Sequence, residues 1–258
     1  MIATKSKVRI VLVQLLLLCA ALVLWQASAG LGIIDTVWTS SPSLIAKAFW
    51  QSLTTGELAF HTRVTIWEAL CGLSVGTAAG IALGLLLGVT RSVGAILEPF
   101  IVALNSLPRV ALAPLIVMYV GIGFASKFLL AFSLVVVPVM INTQEGISSV
   151  DPVLVSFMRV MGATRGQTFL KLLLPNCVPW IFSALRVSIS FAIIGAIVGE
   201  FISARAGIGY MISSAAGAFD TTGMLMPLFV LMMLAFLLDR LFLKVSAILL
   251  RWRRADTR

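Results

Sequence analysis

The sequence predicts an all-α fold, a polytopic membrane helix bundle with about six transmembrane helices, and three observations carry this prediction. First, 60% of the 258 residues are hydrophobic and only 11% are charged, whereas soluble domains carry about 25% charged residues. Second, apolar stretches of roughly the ~20 residues that cross a hydrocarbon core recur along the chain. Third, these stretches lack the alternation of a membrane β-barrel, and in lipid only helices or closed barrels satisfy the backbone. A soluble enzyme is therefore excluded.

Six apolar stretches are the candidate spans, and they cover residues 10–29, 64–89, 95–120, 128–147, 176–199 and 222–243. The fourth is the weakest because Asn142, Thr143 and Gln144 shorten its apolar part. The segment of about 30–61 is expected outside the cytoplasm, with a short helix over 44–53 capped by Ser41 or Ser43. The chain as a whole, residues 1–258, is predicted to form a single transmembrane domain.

The basic residues predict the orientation, because cytoplasmic loops of membrane proteins carry an excess of Lys and Arg. An even number of spans puts both termini on one side of the bilayer. The basic residues on that side are Lys5, Lys7, Arg9, Arg91, Arg159, Arg165, Lys171, Lys244, Arg251, Arg253, Arg254 and Arg258. Only Lys47, Lys127 and Arg205 fall on the other side. Both termini are therefore predicted to be cytoplasmic. The net charge of +9 is a topology signal rather than the basic face of a nucleic-acid-binding protein.

The first span has an alternative interpretation as a cleaved signal peptide. Lys5, Lys7 and Arg9 precede the apolar run 10–25, and Ala27-Ser28-Ala29 resembles an A-x-A cleavage site. Cleavage would leave five spans and an extracellular mature N-terminus. Because the apolar run is at the long limit for a signal peptide, a retained span is the favoured interpretation.

The cysteines and the single histidine do not indicate a metal or disulfide site. Cys19, Cys71 and Cys177 all lie in apolar runs and are expected to be small buried residues. There is no C-x-x-C pair, and His61 has no ligand partner nearby in the sequence. We therefore expect no metal site and no catalytic residues.

The second span carries a glycine at every fourth position, namely Gly72, Gly76, Gly80, Gly84 and Gly88. In water such a stripe would weaken a helix by about 1 kcal/mol per glycine relative to alanine. In lipid it lets a second helix backbone approach closely. The stripe predicts a tight helix contact, and packing within the subunit is the favoured interpretation because any polytopic bundle can use it.

The third span contains Pro108 and Pro114. Asn105 lies three residues before Pro108, and Arg109 follows Pro108 directly. Four residues apart on a helix, Asn105 and Arg109 would share a face. A straight helix from Ala95 would place Arg109 roughly 21 Å into the membrane, where a charge must face protein or a water-filled path. Two interpretations stay open: Arg109 lines a solute path, or it forms a structural ion pair with Glu68 or Glu98.

The longest polar segment between spans is residues 142–175. Asp151 is a candidate N-cap with Pro152 at the first helical position, and apolar residues then recur at helical spacing until Gly162. A second short helix is expected from Thr164 to a point before Pro175. Two short amphipathic helices on the cytoplasmic face could be covered by a protein partner or lie on the membrane surface.

Here a family resemblance appears. Gly162, nine residues and then Leu172, Leu174 and Pro175 resemble the second half of the signature loop of permease subunits in binding-protein-dependent ABC importers. That signature reads E-A-A, three residues, Gly, nine residues, Ile-x-Leu-Pro. Ser156, Phe157 and Met158 stand at the E-A-A positions, so only the glycine and the hydrophobic-proline end match.

Further segments resemble the nitrate/sulfonate/taurine branch of that family, and together they cover nearly the whole chain. They are Pro42-Ser43, the run 107–115, Gly121-Ile122-Gly123, Ser126-Lys127, Asn142-Thr143, Asp151-Pro152, Gly162-Ala163-Thr164, Leu185-Arg186, Glu200 and Ala206-Gly207-Ile208-Gly209. In the second span, Glu68 stands where family members often have a basic residue.

The resemblance implies a non-catalytic, type I importer permease in the bacterial inner membrane. Its partners would be cytoplasmic ATPase subunits, an extracytoplasmic solute-binding protein, a second and identical permease subunit, and membrane lipid, with no nucleic acid. ATP would be bound by the ATPase, and this chain agrees because it has no G-x-x-x-x-G-K-[ST] motif. Contact with the ATPase would fall in a coupling loop at about 148–174, through Arg159, Gly162, Ala163, Thr164 and Arg165.

The buried charged residues bear on the charge of the solute and on whether the protein is an importer subunit or a stand-alone transporter. A buried Arg109 would favour an anionic solute, with Asn105 and Arg109 on its path. The alternative is a stand-alone secondary transporter or channel, which would be expected to show repeated halves and a membrane-buried carboxylate or histidine for ion coupling. No internal repeat is evident, and an importer subunit is the favoured interpretation.

Overall fold

The computed structural model describes residues 2–203 and 205–249, and the described residues are helical with short connections. In chain order the helices are α1 (Ile2–Gly30), α2 (Thr36–Thr39), α3 (Pro42–Thr54), α4 (Glu57–Val89), α5 (Arg91–Ser106), α6 (Ala113–Val120), α7 (Phe124–Ser148), α8 (Pro152–Val160), α9 (Arg165–Thr168), α10 (Leu174–Ser203), α11 (Ile208–Gly217) and α12 (Thr221–Leu249). A 3₁₀ turn (Arg109–Leu112) precedes α6, and a π turn (Phe169–Leu173) precedes α10. The predicted all-α class is confirmed.

Within residues 2–203 and 205–249, five helical stretches are long and apolar enough to cross a membrane, and they are Leu12–Gly30, Glu57–Val89, Phe124–Ser148, Arg165–Ser203 and Thr221–Leu249. The bent pair Ser92–Ser106 and Arg109–Val120 supplies a sixth if it forms one span. These agree with the six predicted spans. Of the basic residues used to predict orientation, Arg251, Arg253, Arg254 and Arg258 lie outside the described residues.

The chain separates into two compact units, and the first comprises Met1–His61 and Met211–Val230. Its core is formed by Ile45, Leu58 and Met226, against which Trp25 and Phe229 pack. Ser41 caps α3 as predicted, since its Oγ accepts a hydrogen bond from the Leu44 N–H at 3.4 Å. The predicted single domain over residues 1–258 stays a prediction.

The second unit, Thr62–Tyr210 with Leu231–Arg258, is organised around α7. On one side of α7, the glycine stripe of α4 follows α7 in register, one glycine per helical turn. A Cβ on each of the five glycines would fall against one of Ala131, Val135, Val139, Thr143 and Ile147. The stripe therefore packs within the subunit, and the two backbones approach more closely than side chains would allow.

The other side of α7 packs against α10, again through glycines that allow a close approach of the two backbones. A Cβ on Gly195 would lie 2.5 Å from the Cα of Ala131, and one on Gly199 would lie 3.0 Å from the Cα of Lys127. Near the opposite end of α7 the glycine lies on α7 instead, because a Cβ on Gly146 would lie 2.9 Å from the Cα of Cys177. Cys177 is fully buried as predicted, but Cys19 is exposed on the surface of α1, which corrects that expectation.

The third span is broken, which corrects the straight helix assumed from the sequence. α5 ends at Ser106 and the next helix is turned by 76° from it. Leu107 is extended, with φ −67° and ψ 127°, as expected for a residue before proline. Pro114 lies in the first turn of α6, where a missing N–H costs nothing. Hence Pro108 ends one helix and Pro114 begins another.

Two boundaries also differ from prediction. α7 begins at Phe124 rather than residue 128, so Lys127, expected in a loop, lies inside the helix and is buried. The helix that begins after Thr164 does not end before Pro175, because Arg165–Ser203 is one continuous apolar stretch. The π turn at Phe169–Leu173 accommodates Pro175, since its wider spacing relieves the clash between a proline ring and the preceding turn.

Candidate functional site

The segment 151–172, called the coupling segment below, begins with the predicted cap. The Asp151 carboxylate accepts a hydrogen bond from the Val153 N–H at 2.8 Å, and Pro152 occupies the first turn of α8. An aspartate at this position also interacts favourably with the positive end of the helix dipole. The nine-residue α8 is therefore held at its start by local contacts alone.

The end of α8 is a complete Schellman motif, and Gly162 is its left-handed residue. Gly162 has φ +77°, its N–H donates to the Arg159 carbonyl at 3.0 Å, and the Ala163 N–H donates to the Met158 carbonyl at 3.0 Å. Glycine is favoured there because a side chain is strained at positive φ. The predicted bend at Gly162 is present, and it separates α8 from α9.

A capping box starts α9 immediately after the bend. The Thr164 Oγ1 accepts from the Gln167 N–H at 3.2 Å, and the Gln167 side chain accepts from the Thr164 N–H at 2.9 Å. Since α9 runs through the π turn into α10, the bend is joined directly to a membrane span. The coupling segment is therefore connected through α9 and the π turn to α10, which packs against α7.

The coupling segment exposes a mixed apolar and basic surface. Val160 is 85% exposed and Met161 70% exposed, and Phe157 is also exposed on α8. The side chains of Arg159 and Arg165 are exposed beside them. A helix with this much uncovered apolar area is typical of a surface that another protein or a membrane covers.

A cleft of about 770 Å³ is lined by residues of α4, α5 and α7 and by Pro152, the first residue of α8. Asn105, one of the two predicted path residues, lines this cleft, and so do Glu98, Gln144 and Glu145. The cleft is therefore lined both by polar residues of the broken third span and by the first residue of α8 in the coupling segment.

Arg109 holds the broken span against α7. Its Nη1 donates to the Ser133 carbonyl at 2.9 Å, and its Nη2 donates to Asn105 Oδ1 at 3.0 Å. Asn105 and Arg109 therefore touch, although across the break rather than along one helix. Neither Glu68 nor Glu98 pairs with Arg109 within the described residues, because Glu68 instead binds Lys127.

Two charged groupings were not foreseen from the sequence. Glu68, Lys127 and Glu200 come together inside the second unit, and Arg186 of α10 pairs with Asp239 of α12 at 2.9 Å. The positions of Glu68 and Asp239 inside predicted apolar spans, and of Glu200 directly after one, were the available signal, because a charge in a span needs a partner. Which partners meet depends on helix rotation and could not be read from spacing.

Residues 76–247 match the family model described as "Binding-protein-dependent transport system inner membrane component". The chain is 35% identical to the riboflavin transport system permease protein RibX of Chloroflexus aurantiacus, over 90% of this chain and 86% of that protein. The chain belongs to this permease family.

Two other relatives are similar over most of their length. This permease is 32% identical to the formylaminopyrimidine transport permease protein ThiX of Halalkalibacterium halodurans, over 90% of this chain and 92% of that one. It is 29% identical to the taurine transport system permease protein TauC of Escherichia coli, over 86% and 82%. The predicted resemblance to the sulfonate and taurine branch is thereby confirmed.

Solved structures share the fold. A chain of the inward-facing MetNI methionine ABC transporter aligns with a TM-score of 0.59 at 21% identity, covering 75% of this permease and 94% of that chain. A chain of an amino acid ABC transporter crystallised with histidines aligns with a TM-score of 0.60 at 15% identity, covering 78% and 96%. The permease is a multi-pass membrane protein with the fold of an importer permease.

Replacing Arg109 by alanine is expected to reduce solute uptake by about tenfold while leaving assembly intact, because two hydrogen bonds from a charged donor that position the broken span are lost. Uptake by the purified transporter in vesicles measures the first effect, and size-exclusion chromatography measures the second. The matched control is Arg63→Ala, since Arg63 is an exposed arginine of α4. Normal uptake by the Arg109 variant would show that these two hydrogen bonds are not needed for transport.

Proposed function

We propose that this permease is the membrane-spanning subunit of an ATP-driven importer in the bacterial inner membrane, with both termini cytoplasmic. It forms the path for a small solute that an extracytoplasmic binding protein delivers. The observation that carries the proposal is the coupling segment: a short helix, rigidly capped at both ends, exposes apolar and basic side chains and continues into a membrane span. Family membership supplies the context for this geometry.

The coupling segment is the proposed contact with a separate ATPase subunit, which would bind the ATP that this chain has no motif to bind. The contact residues are Arg159, Gly162, Ala163, Thr164 and Arg165. A partner can switch a permease between two states only if it binds them with different free energies. Movement of the α8–α9 bend would be carried by the continuous helix Arg165–Ser203 to its contact with α7.

The cleft between α4, α5 and α7 is the proposed part of the solute path on this subunit, with Asn105 on its wall. The sequence favoured an anionic solute because of Arg109, but the guanidinium of Arg109 is already engaged by Ser133 and Asn105. Glu98 and Glu145 line the cleft instead. Since carboxylates repel anions, we propose that the solute is a small neutral or cationic polar compound rather than an anion.

A second, identical permease subunit completes the proposed transporter. Each of the five membrane-length stretches is less than half buried within this chain, and the first is not buried at all over its apolar window. These faces are available to lipid and to the partner subunit. In this arrangement no cofactor is bound by the permease itself.

Co-purification and reconstitution test the proposal. The tagged permease is expected to co-purify with an ATPase and, after reconstitution with it, to take up solute only when ATP is inside and loaded binding protein is outside. Uptake by the permease alone, driven by a proton or sodium gradient, would instead establish the stand-alone transporter. Competition for uptake by a neutral heterocycle, an amine and a sulfonate then tests the charge of the solute.

A further inference from the structure

Three ionisable side chains meet inside the second unit, one from each of three packed membrane helices. Glu68 of α4 is 3% exposed, Lys127 of α7 is 6% exposed and Glu200 of α10 is 1% exposed. None of them belongs to the coupling segment or lines the cleft. We refer to these residues as the charged triad.

The contacts of the triad are specific. Lys127 Nζ donates to Glu68 Oε1 at 2.7 Å. Glu200 Oε1 accepts from Thr65 Oγ1 at 2.7 Å, and Glu200 Oε2 accepts from the Gly209 N–H at 2.6 Å. Thr65 Oγ1 in turn accepts from the Ile208 N–H at 2.8 Å, so the triad also holds the first residues of α11.

One oxygen of the triad has no conventional donor. Glu68 Oε2 is buried and accepts no hydrogen bond from the described residues. The carboxyl group of Glu200 nevertheless lies beside that of Glu68 and interacts with it, since Thr65, which donates to Glu200, is one helical turn before Glu68 on α4. Two carboxyl oxygens can form a hydrogen bond only when one of them carries a proton, and two buried carboxylates in contact repel strongly.

The charge count leads to the same result. With all three groups ionised, the triad has a net charge of −1 in a region from which water is excluded, and an uncompensated buried charge is costly. A single proton shared by Glu68 and Glu200 makes the triad neutral. It also supplies the missing hydrogen bond at Glu68 Oε2.

We propose that Glu68, Lys127 and Glu200 form a proton-binding site that holds one proton between the two carboxyl groups at neutral pH. The groups facing it are Thr65 and Glu68 from α4, Lys127 from α7, Glu200 from α10 and the first N–H groups of α11. The bound proton lets the three spans stay joined to each other and to Ile208 and Gly209 without an unpaired charge. This site is independent of the proposed transport function.

Infrared spectroscopy of the purified permease in D₂O at neutral pH tests the site directly. We expect the carbonyl stretch of a protonated carboxyl, and we expect Glu68→Gln and Glu200→Gln each to abolish it, because either amide supplies the shared hydrogen without a proton. Absence of this band from the wild type would overturn the proposal. A melting temperature raised by sodium but not by choline, together with that absence, would assign the site to a metal cation instead.

Thermal unfolding of the Gln variants supplies a second test, because the effects of the two substitutions on the melting temperature should not be additive. Either single variant leaves one carboxylate in the triad to balance the charge of Lys127, so its melting temperature should stay within about 3 °C of the wild type. The double variant leaves Lys127 as an unpaired buried charge and should melt roughly 10 °C lower. Adding Lys127→Met to the double variant should recover most of that loss. Single variants that melt as low as the double variant would contradict the shared proton.

Discussion

Replacing Gly162 by proline is expected to reduce binding-protein-stimulated ATP hydrolysis by about tenfold or more, while the permease still inserts and can be purified. Gly162 has φ +77°, whereas proline is restricted to φ near −65°. Proline would also remove the N–H that donates to the Arg159 carbonyl. The strain is of order 1–3 kcal/mol, enough to displace the bend of the coupling segment. ATPase activity of the reconstituted complex, with and without loaded binding protein, measures the effect.

Matched variants separate the shape of the bend from general damage. Gly162→Asn should retain stimulation because asparagine tolerates the left-handed conformation. Gly166→Ala should be neutral, since nothing lies within 4 Å of a Cβ at that position. Charge reversal at Arg159 and Arg165 should also reduce binding-protein-stimulated ATP hydrolysis. Lys171→Glu is the control, since Lys171 is an exposed basic residue outside the bend, and it should retain stimulation. Unchanged stimulation in the Gly162→Pro complex would refute the coupling role.

Replacing Gly84 by leucine is expected to destabilise the permease by about 3 kcal/mol or more, because overpacking two closely opposed helix backbones forces them apart. A Cβ at Gly84 would lie 2.5 Å from the Met140 carbonyl oxygen and 2.6 Å from the Thr143 Cβ, both on α7. Neither atom is the end of a flexible side chain. The readouts are the yield of monodisperse protein and the melting temperature in detergent.

The control for this effect is Gly30→Leu at the end of α1, where nothing lies within 4 Å of a Cβ. It should express and melt like the wild type. Because the clash at Gly84 begins with the Cβ itself, Gly84→Ala should already lower the melting temperature by several degrees. A Gly84→Leu protein with wild-type yield and melting temperature would show that α4 and α7 are not in close contact.

Much of the fold could be predicted because the relevant signals are local. Hydropathy located the spans, and the Asp151-Pro152 pair located the start of α8. The left-handed glycine at Gly162 and the capping threonine at Thr164 depend only on residues within one or two turns. The glycine stripe indicated a close helix contact, although it could not name α7 as the partner.

The misplaced elements depend on long-range packing. Lys127 was assigned to a loop because a lysine usually ends an apolar stretch, but Glu68, 59 residues earlier, neutralises it inside the bundle. Arg109 was placed on a straight helix, whereas the break at Leu107-Pro108 turns it towards the Ser133 carbonyl. The continuation of α9 into α10 depends on the π turn at Phe169–Leu173, which no residue pattern predicted.

A chain that is 60% hydrophobic and 11% charged must lie in a bilayer as helices, and this could be read from the residues alone, as could the caps and bends of the polar segments. These properties follow from the hydrophobic effect and backbone sterics within a few residues. Which of the few charged side chains meet depends instead on long-range packing. Pairing between Glu68, Lys127 and Glu200 requires three helices to be rotated and aligned to within one turn, and that alignment is set by the packing of glycine faces on α7.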